Sequence, residues 1–103
     1  MTYDHELTLI IPGRIEQDEI GNEIQTDPIE TTILCGLKSV GRSEFYNAAA
    51  AGLRPEIVFV IHAYEYNDER LVVFEGARYR VIRTYATGFE ELELTVERVT
   101  ADG

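Results

Sequence analysis

The chain has 103 residues, 45% hydrophobic and 27% charged, the size and make-up of one globular domain with a small core. Nineteen Asp and Glu against nine Lys and Arg leave a formal net charge of -10; this field repels nucleic acid at long range, which disfavours a sequence-specific DNA binder and suits a surface past which DNA slides. No apolar run approaches the roughly 20 residues that a helical bilayer crossing requires, so membrane insertion is not expected.

Met1 to Glu6 carries no basic cluster followed by an apolar core, so no secretory signal is expected and the chain stays where it is made. Period-two alternation then predicts about six strands separated by short turns. The first is Glu6 to Ile11, with Leu7, Leu9 and Ile11 on one face, and Pro12-Gly13 ends it. From Arg14 to Pro28 the chain is polar and acidic, with Ile15, Ile20 and Ile24 scattered among carboxylates. Gly21-Asn22 is a turn pair there, in a loose hairpin or a loop. Asp18, Asn22 and Glu23 lack the every-second-position oxygen spacing of a calcium loop.

The second strand, Glu30 to Val40, places Ile33, Cys35 and Leu37 on one side and Thr32, Leu34 and Lys38 on the other, with a bend or bulge at Gly36. Cys35 is the sole cysteine, so no internal disulfide and no paired-thiolate metal site is expected, in keeping with a reducing compartment. A helix follows. Ser43 is the expected N-cap, Ala48 to Ala51 have the highest helix preference, and Gly52 in the left-handed conformation stops the helix before Pro55. Two turns are too few to stand alone, so tertiary contacts or a partner must hold them.

Glu56 to Tyr66 reads as a central strand covered on both faces, with Ile57, Phe59 and Ile61 one way and Val58, Val60 and Tyr64 the other. Turns at Asn67-Asp68-Glu69 and Glu75-Gly76 lead into Arg70 to Phe74 and then Ala77 to Ala86, a predicted meander. The last strand, Glu91 to Val99, points Leu92, Leu94 and Val96 inward and Glu91, Glu93, Thr95 and Glu97 outward. These elements predict a mainly β protein: a small antiparallel barrel of about six strands, or a compact sandwich, with one short helix inserted between strands 2 and 3. Residues 1–103 form a single domain in this reading, with insertions at 14–29 and 41–55.

No nucleophile motif, phosphate loop or helix-borne histidine pair for zinc is present, so neither an enzyme nor a cofactor is expected. His5 and His62 read as histidines with local partners. Glu90, Glu91 and Glu93 read as a solvated face, not an acid/base pair. Arg78, Arg80 and Arg83 with Tyr79 and Tyr85 allow a sheet on which single-stranded nucleic acid stacks. Pairing of Arg78 and Arg80 with Glu93 and Glu97 across a hairpin is the stronger reading.

Three segments taken together carry a resemblance: Ser43-Glu44-Phe45-Tyr46-Asn47-Ala48-Ala49-Ala50, then Pro55-Glu56-Ile57, then Val73-Phe74-Glu75-Gly76-Ala77-Arg78-Tyr79-Arg80-Val81. In order and spacing the chain resembles the head-tail joining proteins of long-tailed phages, also called head-closure or stopper proteins. The likeness runs from the first strand through Asp18-Glu19-Ile20-Gly21-Asn22 to the closing strand. It implies a small barrel in the virion neck, made in the bacterial host cytoplasm. There it would assemble into a ring between portal or adaptor proteins and tail-completion or tail-tube proteins, with packaged DNA as a steric contact only.

The same resemblance maps the channel and ring-contact segment onto Gly41 to Pro55, with Ser43, Glu44, Phe45, Tyr46, Ala48, Ala49, Ala50 and Leu53 as its residues. Asp18, Glu19, Gly21 and Asn22 form a second expected interaction loop. Alanines permit close approach of copies around a ring axis while Phe45 and Tyr46 anchor the helix. Alternatively, Phe45, Ala49 and Leu53, spaced by four, cap one open end of the barrel. The competing functional reading is a small β-barrel that binds single-stranded nucleic acid.

Overall fold

The computed structural model describes residues 2–88 and 90–99, leaving Met1, Phe89 and residues 100–103 outside the description. Its strands are β1 (His5–Ile11), β2 (Ile15–Gln17), β3 (Glu23–Gln25), β4 (Ile29–Lys38), β5 (Pro55–His62), β6 (Leu71–Phe74), β7 (Ala77–Gly88) and β8 (Glu91–Arg98). The helix α1 is Arg42–Ala50, and a 3-10 turn at Ala63–Glu65 follows β5. Six strands close an antiparallel barrel in the order β1-β4-β5-β8-β7-β6, and β2 and β3 pair with each other.

Alternation fills this barrel. Each of its six strands sends two side chains inward: Leu7 and Leu9, Ile33 and Cys35, Phe59 and Ile61, Val72 and Phe74, Tyr79 and Val81, Leu94 and Val96. Phe59 is the hub, edge-on to Phe74 with ring centroids at 5.0 Å and to Tyr79 at 6.1 Å. Each large side chain removed from water here contributes about 1.5 to 3 kcal/mol. The Cys35 thiol sits fully inside this cluster, where burial pushes its pKa up to about 11. Val58 and Val60, on the other face of β5, are buried as well, so that strand is covered on both sides as its sequence predicts. It ends at His62, however, and Tyr64, expected on the Val58 and Val60 face, lies in the 3-10 turn and is 72% exposed.

Several details differ from expectation. The helix lies between β4 and β5, not between the second and third strands, because segment 14–29 folds into a hairpin that adds two strands to the count. Neither Ile11 nor Leu37 joins the core; both are 39% exposed. Ile11 pairs with Ile29 one step beyond Ile10, the last β1 residue that β6 reaches, so this end of the β1–β4 ladder overhangs the barrel. Leu37 stands opposite Phe59 near the far end of β4.

Gly36 is not a bulge: it is where β4 exchanges its β1 partner for β5. The register shifts fall instead at Pro55/Ile57, Val81/Arg83 and Ala86/Gly88. Of the predicted meander only the second hairpin forms, β6 with β7; β7 then pairs with β8. β5 pairs with β8, so the segment after it crosses the barrel end instead of turning back on itself. Glu69, 3% exposed, organises that crossing: its Oε1 accepts the Asn67 N–H at 2.6 Å, and its carbonyl accepts the Tyr66 hydroxyl at 2.6 Å. At Glu75-Gly76 both residues have positive φ, +49° and +79°, the two-residue turn whose twist matches a hairpin.

Candidate assembly surfaces

Helix α1 starts at Gly41, whose extended backbone places its carbonyl to accept the Phe45 N–H at 2.9 Å. Ser43 is therefore inside the helix and exposed, not its cap, and no side chain caps the first turn. Glycine is tolerated at this position because it too adopts the extended cap geometry. The other end follows expectation. Gly52 has φ +80°, the Leu53 N–H donates to the Ala48 carbonyl at 2.9 Å, and the Gly52 N–H donates to Ala49 at 3.0 Å.

No residue of α1 is buried. The half-buried side is Glu44 and Ala48, continued by Leu53, and it lies on the outer wall of the barrel with Ala51 beside Ile82, Arg83 and Thr95. Glu44 secures it. Its Oε2 accepts Arg83 Nη1 at 2.8 Å and its Oε1 accepts Thr95 Oγ1 at 3.2 Å. Thr95, expected to point outward into solvent, is 4% exposed for this reason.

The row Phe45, Ala49 and Leu53 does not plug the barrel, whose interior the strands fill. Phe45 is 42% exposed and Ala49 is open; with Leu53 and Pro55 they edge a shallow groove at the foot of the helix. Tyr46, 65% exposed, sets its ring edge-on to Phe45 at 6.0 Å, and Ala50 faces solvent. Thus the chain presents Phe45, Tyr46, Ala49 and Ala50 on the outside and uses Glu44, Ala48 and Leu53 to hold the segment.

The second expected loop is a hydrogen-bonded turn. Asp18 Oδ1 accepts the backbone N–H of Ile20 at 3.0 Å and of Asn22 at 2.8 Å, and Gly21 takes φ +88°. Asp18, Gly21 and Asn22 build the tip of the β2–β3 hairpin, while Glu19 is exposed upon it. The hairpin continues the β1–β4 overhang. The Thr26 N–H donates to the Arg14 carbonyl at 2.8 Å, and a Cβ on Gly13 would fall 2.2 Å from the Thr26 carbonyl oxygen. Only glycine permits that approach. Ile20, unremarked as a surface residue in the sequence reading, is 82% exposed at the tip.

The basic strand is mostly paired, though not with the partners expected. Arg80 pairs with Glu97, as predicted, but Glu93 takes Lys38 Nζ at 2.8 Å and Arg83 takes Glu44. Arg78 stands opposite Val73 and makes no ion pair among the described residues. His62 packs against the rings of Tyr3, at 4.3 Å, and Tyr64, at 5.3 Å, with its Nδ1 3.3 Å from Glu65. His5 Nε2 is 3.4 Å from Asp4. Glu91 accepts the Tyr3 hydroxyl at 2.6 Å, which pushes that phenol up to about 12. Among the described residues no three His, Cys, Asp or Glu are placed to hold a metal ion.

No family model matches this chain, and neither does any curated protein sequence.

A further feature escaped the sequence reading because its parts are far apart in the chain. Arg54, Arg80 and Arg98 meet with Glu56 and Glu97 in a cleft at the end of the barrel where β5 begins and β8 ends. Glu97 accepts the Arg54 backbone N–H at 2.9 Å and pairs with Arg80, and these two donors, the first above all, hold its carboxyl below the usual range. The groove beside Phe45 and Leu53 adjoins this cleft, sharing Gly52, Arg54 and Glu56 with it.

Proposed function

We propose that this chain is a structural neck protein of a long-tailed phage or prophage. In this reading it joins head to tail and closes the portal channel as a ring, through protein contacts with portal or adaptor and tail-completion or tail-tube proteins. One observation carries the proposal furthest: α1 buries none of its residues against its own barrel and leaves Phe45, Tyr46, Ala49 and Ala50 turned outward. A helix this short needs external contacts, and here one carboxylate provides the polar ones within the monomer. Such a segment is suited to gain its remaining contacts from neighbouring copies. The filled barrel beneath it serves as a rigid carrier.

The order and spacing of the segments that resemble head-closure proteins support the same reading, and the acidic charge suits a wall past which DNA moves. The competing reading, a barrel that binds single-stranded nucleic acid through β7, is weakened because Arg80 and Arg83 are engaged by Glu97 and Glu44.

The test replaces Ala49 and Ala50 together by arginine. Both are exposed, so the purified variant should keep the wild-type far-UV spectrum and melt within a few degrees of it. In a phage assembly assay, heads completed with it should lose their DNA. Full retention would reject the channel role. Salt-sensitive binding of single-stranded DNA by the wild-type protein, abolished by Arg80→Glu, would favour the competing reading.

A further inference from the structure

Charge is unevenly divided between the two ends of this molecule. From Ile11 to Glu30 the overhanging arm carries six carboxylates against one cation, Arg14, and Arg14 is paired with Glu16 inside the arm. The arm also exposes isoleucines: Ile15, Ile24 and Ile29 are 67%, 48% and 58% open to solvent. An exposed hairpin that repels its own acidic barrel and displays unburied isoleucines has the composition of a contact surface. At the opposite end, three of the nine cations converge in the Arg54, Arg80 and Arg98 cleft against two carboxylates, Glu56 and Glu97, the latter paired with Arg80. The Arg54 and Arg98 guanidiniums make no ion pair among the described residues. The apolar groove bordered by Phe45 and Leu53 runs directly into it.

We infer that the arm of one copy docks into the arginine cleft and adjoining groove of the next copy. Carboxylates such as Glu16 and Glu23 would face Arg54 and Arg98, and the isoleucines would cover Phe45, Ala49 and Leu53. The two surfaces match in both respects: a strongly acidic arm with exposed isoleucines meets a cleft with one positive charge in excess and an apolar border. The arm leaves the barrel where β4 begins, the end of β5 at His62, whereas the cleft lies at Pro55, so the contact joins different patches on the two partners. A contact of this heterologous type repeats head to tail and either closes as a ring or runs on as a filament. The inference deepens the ring reading by naming its seam, and it rests on that reading only for self-association.

The experiment uses the purified full chain and follows its mass by light scattering after gel filtration. Wild-type protein should assemble with rising concentration at about 50 mM salt and dissociate at about 500 mM, where screening extends over only a few ångströms. Glu16→Arg with Glu23→Arg should weaken association about tenfold or more, and so should Arg54→Glu with Arg98→Glu. Mixing the two double variants should restore assembly, because each then offers the sign its partner lacks. The sites are exposed, and melting curves check that both variants are folded.

A wild-type chain that stays monomeric at low salt overturns the inference, as does assembly that survives both reversals or a mixture that fails to recover. None of these outcomes touches DNA retention, so a failed neck role and a failed seam are told apart.

Discussion

Glu44 illustrates how much one side chain does here. Its two oxygens reach Arg83 on β7 and the buried hydroxyl of Thr95 on β8, joining a helix none of whose residues is fully buried to a wall that is otherwise complete. The Arg83 pair is about half exposed and so worth little, while leaving Thr95 without its acceptor costs more. Glu44→Ala should therefore loosen the helix without melting the barrel. Hydrogen exchange of the Arg42–Ala50 amides should quicken about tenfold with core β5 and β8 amides unchanged; equal protection of the helix in the variant would show that the tether is idle. Cysteine placement was readable from alternation, since Cys35 falls in register with Ile33 and the core. The Glu44 tether was not, because residues 44, 83 and 95 meet only after three separate elements fold together.

Among the elements, α1 and the β2–β3 hairpin were legible to different degrees. The end of α1 could be read from Gly52 and Pro55, because a left-handed glycine is a local requirement that no distant contact changes. Its start could not: Ser43 has the chemistry of a cap, yet the chain leaving Lys38 reaches helical geometry at Arg42 and leaves Gly41 in the cap position. In the hairpin, Gly21 announced the turn, but strand identity was hidden, since β2 and β3 bury nothing and so carry no alternation. What orders this arm is the backbone crossing at Gly13 and Thr26. Gly13→Ala places a methyl group against a carbonyl oxygen and should destabilise the arm by about 1 to 3 kcal/mol. Backbone amide shifts should change along Ile15–Gln25 and stay fixed in β7 and β8; an unchanged arm spectrum would refute the close approach.

For the whole molecule, charge and topology act together. The depressed pKa of Glu97 means that its folded carboxylate is favoured over its unfolded one. Its contribution is present above the ordinary value of 4.5 and is lost as pH falls through the lower folded value. Tyr3, pushed up to about 12 by Glu91, and Lys38, raised by Glu93, have the opposite sign. Their contributions hold below their unfolded values near 10 and disappear as pH rises through the folded ones. Mutual repulsion among nineteen carboxylates works against the Glu97 effect on the acid side, since acidification relieves it. The Glu97 share is isolated by comparison with Glu97→Gln. Denaturant midpoints between about pH 3 and 7 should converge for the two proteins at the acid end and separate toward neutrality, the wild type being the more stable; parallel curves would remove Glu97 from the balance.

By itself the sequence determined that Leu7 and Leu9, Ile33 and Cys35, and Leu94 and Val96 turn inward; it also determined where the helix stops and where Gly21 and Glu75-Gly76 turn the chain. These are local matters, settled by a period of two and by the backbone freedom of single residues. Tertiary structure alone decided that β5 neighbours β8 rather than β6, that the apolar stripe of β1 and β4 runs past the barrel to leave Ile11 and Ile29 in the open, and that Arg54, Arg80 and Arg98 share one cleft. The physical reason is that side-chain period fixes a strand's face but not its partner. Partner and stagger are set when the sheet closes on itself, and that closure sums contacts between residues far apart in the chain.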